Sequence, residues 1–200
     1  MRSRTIGLVL VAVMSMPWVA QAASLQVIGG YLSGATGVEV NGRLYDVEFV
    51  EGSCASLFDG CDSEADFAFD QLAAATAASE ALLSQVFVDV ADGRFDSLPF
   101  RTDGCILSAD CRALTPYSPG VAANVLAAYA FNDSQEAGDG VGGPVSYGVD
   151  SDTGQIANLV YARWTPAPEP RSLALFGIGL AALAAVRRWI PQVRPCPSCS

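Results

Sequence analysis

Histidine and lysine are both absent from all 200 residues. Without histidine no Ser-His-Asp or Cys-His nucleophilic site can form within the chain, and without lysine neither Ser-Lys catalysis nor Schiff-base chemistry is open to it. Basic charge is scarce in general: 11 arginines stand against 21 acids, a net charge of -10. All 21 acids fall between Ala23 and Pro170, where only Arg43, Arg94, Arg101, Arg112 and Arg163 oppose them, so residues 23–167 carry -15. Clustered cations, which phosphate backbones require, are missing, and nucleic acid is excluded as a partner. Such an acidic balance is the ordinary way to keep an exported protein soluble. Threonine is sparse and no repeat is present, which excludes the flat, regular threonine array expected of an ice-binding surface. The run Gly138-Asp139-Gly140-Val141-Gly142-Gly143 lacks the lysine of a P-loop and reads as part of a long mobile loop, Asn132 to Gly143.

What the chain does have is apolar sequence at its two ends. Arg2 and Arg4 precede an apolar core from Ile6 to Met14, and Ala20-Gln21-Ala22 supplies small residues before Ala23. That order predicts a signal peptide over residues 1–22, removed by signal peptidase to leave Ala23 first. At the other end an unbroken apolar run of 14 residues, Leu173 to Val186, is followed by Arg187 and Arg188. As a helix the run reaches about 21 Å, against a hydrocarbon core of about 30 Å. Flanking arginines extend such a span by snorkelling, and their position puts the tail, residues 189–200, on the cytoplasmic side.

Just before the run stands Pro168-Glu169-Pro170, then Arg171-Ser172. The ordered set of this motif, an apolar helix and a basic pair resembles the PEP-CTERM sorting signal of Gram-negative bacteria. The resemblance implies that an exosortase, a membrane-embedded cysteine transpeptidase-like enzyme, recognises residues 168–188 and cleaves near the motif. The protein would be anchored transiently by its C-terminal transmembrane helix and then sorted to the cell surface or the exopolysaccharide matrix. This resemblance supplies an address and leaves the work of the delivered part open.

The middle, residues 23–167, is long enough for one extracytoplasmic domain with a real core. Its patterning predicts an α+β fold, an antiparallel sheet of about 4 to 6 strands with one packed helix. Val38-Glu39-Val40, the turn dipeptide Asn41-Gly42 and the return Arg43 to Val50 describe a hairpin. A two-residue loop places Val38, Val40, Tyr45, Val47 and Phe49 on one face and Glu39, Asp46 and Glu48 on the other. Gln71 to Phe87, with Asp70 as its N-cap, has Leu72, Ala75, Ser79, Leu82 and Val86 at helical spacing and is expected to pack on that apolar face. Residues 91–120 are broken by glycine and proline and read as loops, with a short extended piece at Ser97 to Phe100. Asn124 to Phe131 reads as a strand. Val145 to Val149, turn residues Asp150 to Gly154, and Asn158 to Trp164 read as a second hairpin.

Cys54, Cys61, Cys105 and Cys111 are an even set in an exported domain and read as disulfides, with proximity pairing 54 to 61 and 105 to 111. The two-residue spacers of a four-cysteine zinc site are missing. Cys196 and Cys199 belong to the terminal tail. Carboxylates are the chemistry left: paired acids can hydrolyse glycosides, and clustered oxygens can bind calcium. Calcium candidates are Asp89, Asp92 and Asp96; Asp150, Asp152 and the Thr153 carbonyl; and Asp133, Glu136 and Asp139. Each lacks the EF-hand spacing, and turn-forming aspartate is the plainer reading of every cluster. No metal ligands and no catalytic residues are assigned. The expected function is a non-enzymatic structural or binding component of the envelope or extracellular polysaccharide, set against a carboxylate-dependent glycan hydrolase and a calcium-assisted adhesion module.

Overall fold

Asn41 and Gly42 take φ of 51° and 78°, the paired positive values of the tight turn that matches strand twist and that glycine adopts without strain. They join β2 (Tyr31–Val40) to β3 (Arg43–Val50) with Val40 opposite Arg43 and Val38 opposite Tyr45, as the dipeptide predicts. A third strand, β1 (Ser24–Ile28), adds to the outer side of β2. The computed structural model describes residues 22–106, 108–135 and 138–168. Ala20, Glu169, Pro170, the run Leu173 to Val186, Arg187, Arg188, Cys196, Cys199 and Glu136 lie outside them. No helix among the described residues is long and apolar enough to cross a membrane.

The other half of the sheet is β6 (Asp110–Pro119), β7 (Asn124–Asp133) and β8 (Gly140–Gly148), a second antiparallel run. Between them come α1 (Cys54–Leu57), α2 (Leu72–Ala81) and a short hairpin of β4 (Asp89–Val90) and β5 (Gly93–Arg94). The last strand, β9 (Leu159–Pro166), closes the gap, antiparallel to β3 and parallel to β6. The order is β1-β2-β3-β9-β6-β7-β8, seven strands where four to six are expected from the sequence.

Several expectations need correction. Residues 110–119 are a strand although Pro116 and Pro119 argue for loop. Pro116 cannot donate to a ladder, and a register shift between Pro116 and Ser118 absorbs it. Ser97 to Phe100 is not extended, because Pro99 starts a 3-10 turn, Pro99–Arg101. The loop expected over Asn132 to Gly143 shrinks, since β7 runs through Asp133 and β8 starts at Gly140. Val145 to Val149 and Asn158 to Trp164 do not form a hairpin: β8 pairs with β7 at one edge, whereas β9 crosses to the centre. Asp70 does not cap α2. Phe69 is drawn in against Tyr45 and Trp164, and the extended residue before the helix is Gln71, whose side chain makes no cap bond.

The helix continues through a π-helical turn, Leu82–Val86, to Phe87. Ala75, Ala78, Ser79, Leu82 and Val86 are fully buried, close to the expected stripe. It lies across β6, β7, β8 and β2, more over the second half of the sheet than over the first hairpin. Alanines on this face let helix and sheet approach closely, and Phe87 stacks on Phe49 at 5.4 Å. Val38, Val40, Tyr45, Val47 and Phe49 all point into this core, as the hairpin register requires. Gly34 is needed where β2 crosses β3, since a Cβ there would drive into the Val47 carbonyl.

The opposite face has a smaller core. Leu114, Val125, Ala127, Leu159 and Tyr161 are covered by the Cys54–Cys61 loop with Phe58 and Phe67. Further along it is charged: Glu48 lies opposite Arg163 and forms an ion pair with it.

Candidate functional site

The place where the described chain leaves the sheet is built by β9. Trp164 is 6% exposed and packs edge-on against Tyr45 and Phe69, with ring centroids 6.3 Å and 5.7 Å away. Its indole N–H donates to the Thr115 hydroxyl at 3.2 Å. Beyond it the grip loosens at once. Thr165 and Pro166 are exposed, paired with Asp46 and Tyr45 of β3. The Ala167 N–H donates to the Leu44 carbonyl at 2.9 Å, and Pro168, first residue of the Pro-Glu-Pro sequence, is exposed.

Two shallow hollows flank this exit. One, of about 340 Å³, lies between the Cys54–Cys61 loop and β9, with Asp59, Asp66, Arg163 and Trp164 in its wall. The other, of about 250 Å³, lies by the β2–β3 turn, with Arg43, Tyr45, Phe69 and Asp70. The sequence does not announce Trp164 as a clamp; the only hint is an aromatic residue ending an apolar run just before Pro166.

Cys54 pairs with Cys61 and Cys105 with Cys111, at Cα separations of 5.9 Å and 5.4 Å, within the range a disulfide spans. The first ties down the loop over the smaller core, and the second lies in the helix-side core.

The calcium candidates are engaged in local turns. Asp89 accepts from the Ser97 hydroxyl at 2.7 Å and from the backbone N–H groups of Ser97 and Asp96, with Arg94 at 3.5 Å. The Ser97 hydroxyl bond, with these neighbours, holds its carboxyl below the usual range against a partial desolvation. Asp92 is exposed in the β4–β5 turn. Asp152 accepts from the Gly154 N–H, and the Thr153 hydroxyl exchanges bonds with both backbone groups of Gly52. Asp139 accepts from the Asp133 N–H at 2.7 Å, and Asp133 from the Gln135 N–H at 2.9 Å. The fold brings Asp96, of the first set, against Asp139, of the third. Burial first, then the Asp139 and Asp89 carboxylates, pushes the Asp96 carboxyl up, while Asp103 is raised by burial alone. Among the described residues no group of three or more acidic or sulfur side chains is placed to hold a metal ion.

Two buried polar groups stand apart. The Tyr161 hydroxyl has no partner among the described residues, and burial with Tyr147 nearby pushes it up to about 12. Arg112 lays its guanidinium over the Tyr129 and Phe131 rings at 5.1 Å and 5.5 Å, a cation–π arrangement.

Compared with known proteins, residues 166–188 match the family model of the PEP-CTERM protein-sorting motif. No curated protein and no solved structure matches the chain. The chain therefore carries a PEP-CTERM motif whose matched segment begins on the last residue of β9. The motif implies export to the cell envelope or surface, with exosortase as the processing partner.

Proposed function

We propose that the chain is an exported, exosortase-sorted component of the cell envelope or extracellular polysaccharide matrix, with a structural or binding role and no catalytic one. The observation that carries this reading is the PEP-CTERM match over residues 166–188, continuous with the folded sheet. In this reading residues 1–22 are a signal peptide, 23–167 the delivered domain, 168–188 the sorting signal with its membrane helix, and 189–200 a cytoplasmic tail.

Support for a non-catalytic role comes from how the acids are used. A glycan hydrolase needs two carboxyls facing each other across a cleft, one of them raised. Asp96 and Asp103, the acids that burial raises, line neither hollow. Most other aspartates of the candidate sets accept backbone N–H bonds in their own turns. Deleting the exosortase in the native host tests the sorting step: the C-terminus is then retained at full mass and the protein stays with the membrane. An identical mass and location with and without the enzyme refutes it.

Calcium-assisted adhesion is the second reading, favoured by the contact of Asp96 with Asp139, a like-charge pair that a cation would relieve. It predicts a melting temperature that rises with calcium and falls again with chelator.

A further inference from the structure

We infer that the start of the sorting motif is zipped onto the domain, and that the exosortase reads the motif after residues 165–167 peel away from β3 as far as Trp164. This rests on the sorting reading above. Pro166, the first matched residue, still stands opposite Tyr45 in the β3–β9 ladder. The next residue, Ala167, is bonded to Leu44, so no unpaired residue separates the sheet from Pro168. Six residue steps lead from Ala167 to Leu173, where the apolar run begins. A fully extended chain of that length reaches at most about 21 Å, so on the sorting reading the domain sits within that distance of the apolar run. A folded domain with the acidic residues Asp59, Asp66 and Asp70 around its exit is thus held close against the bilayer where the enzyme must enter.

The grip on the lead is graded. Thr165 and Pro166 are exposed and Ala167 half-buried, so opening them uncovers little apolar surface and gives up few bonds. Trp164 is the opposite case, shut between Tyr45 and Phe69 and bonded to Thr115. Peeling is cheap for three residues and then stops, releasing about 10 Å of extra chain. Further opening must pull the Trp164 ring out of its contacts, and behind it β9 stays laddered to β3 as far as Tyr161, where the pairing with β6 takes over. Trp164 is in this sense a positioning residue. It sets how far the motif can travel from the folded domain.

The test follows the full-length chain by pulse-chase in its exosortase-bearing host, reading the C-terminal mass over time. A six-residue Gly-Ser insert between Ala167 and Pro168 gives the motif free chain without any peeling. Processing is expected to accelerate about five-fold, the factor matching the loss of about one net hydrogen bond from the barrier. The same insert in the Gly29-Gly30 turn is expected to leave the rate unchanged. Equal rates for the Ala167 insert and the parent overturn the zipped lead and leave the sorting reading standing. A parent that is never processed while the enzyme is active overturns both. Hydrogen exchange on the parent supplies an independent check: the Ala167 amide should exchange much faster than amides of Tyr161 or Ala162, and equal protection overturns the graded grip.

Discussion

The two faces of the sheet are closed by different means. On one, a helix with alanines at its contact positions settles onto β2, β6, β7 and β8, and the seal is a continuous apolar core. On the other, the short loop closed by the Cys54–Cys61 disulfide lays Phe58 edge-on against Tyr161, and Phe67, just beyond that loop, packs on Phe58. A helix orders many residues at once and can bring a repeating stripe to the sheet. A loop of this length has no such stripe and depends on a covalent tie to bring its aromatic residues down. The helix face should therefore fail through packing, the loop face through redox chemistry.

The largest effect is expected on the helix face. Phe87→Ala removes a ring that is 1% exposed and stacked on Phe49, and should cost about 3–5 kcal/mol in urea unfolding, with circular dichroism and tryptophan fluorescence reporting a single transition. A loss under 1 kcal/mol would mean that the π-helical turn repacks and that this face is not the dominant seal.

Next comes the loop face. Cys54→Ala with Cys61→Ala should cost about 2.5 kcal/mol in the chain-entropy model, and should raise exposure of the smaller core while leaving helix content unchanged by circular dichroism. Helix loss in parallel would show that the faces are not separable. Trp164→Phe sits where the faces meet the exit. It keeps an aromatic ring against Tyr45 and Phe69 but removes the indole N–H, leaving the Thr115 hydroxyl, among the described residues, with only the longer Ser79 contact at 3.4 Å. The expected loss is about 1–2 kcal/mol, measured by thermal unfolding.

The two faces also differ in how far the sequence discloses them. Asn41-Gly42 dictates its turn through backbone chirality, and the alternation around it assigns each side chain to a face without tertiary information. The stripe from Ala75 to Val86 is equally local. By contrast β6 is buried without a break from Ala113 to Tyr117, since a strand inside a two-faced sheet has no polar side to alternate with, and its prolines speak for loop. The place of β9 depends on long-range closure: its partners Tyr45 to Val50 lie over 100 residues upstream, and nothing in the local pattern of Asn158 to Trp164 selects them over β8. The sorting motif is legible as residue order, whereas its attachment to the sheet at Pro166 emerges only with that closure. The pairing of the four cysteines follows from spacing; which core each disulfide joins does not.

The smallest effects belong to the rim of the helix face, where the β4–β5 hairpin closes the end of the core with charge. Asp89 and Asp96 stand side by side there with opposite signs of pH dependence. The Ser97 hydroxyl and backbone hold the Asp89 carboxyl below 3.8 in the folded chain, so its stabilisation is present above that value and drains away as pH falls through the lowered one. Burial and Asp139 hold Asp96 above 3.8, so the fold binds its proton more tightly than the unfolded chain does, and stability falls as pH rises through the raised value. Asp89→Asn should therefore lower stability at neutral pH by about 1 kcal/mol or less, given its exposure, and the deficit should close in acid. Asp96→Asn should instead raise the melting temperature at neutral pH, with the gain vanishing below 3.8. Melting curves of both variants and the parent across that range decide the matter. Two variants that shift with the same sign would show that general surface charge, not the local geometry around Ser97 and Asp139, sets the behaviour of this rim.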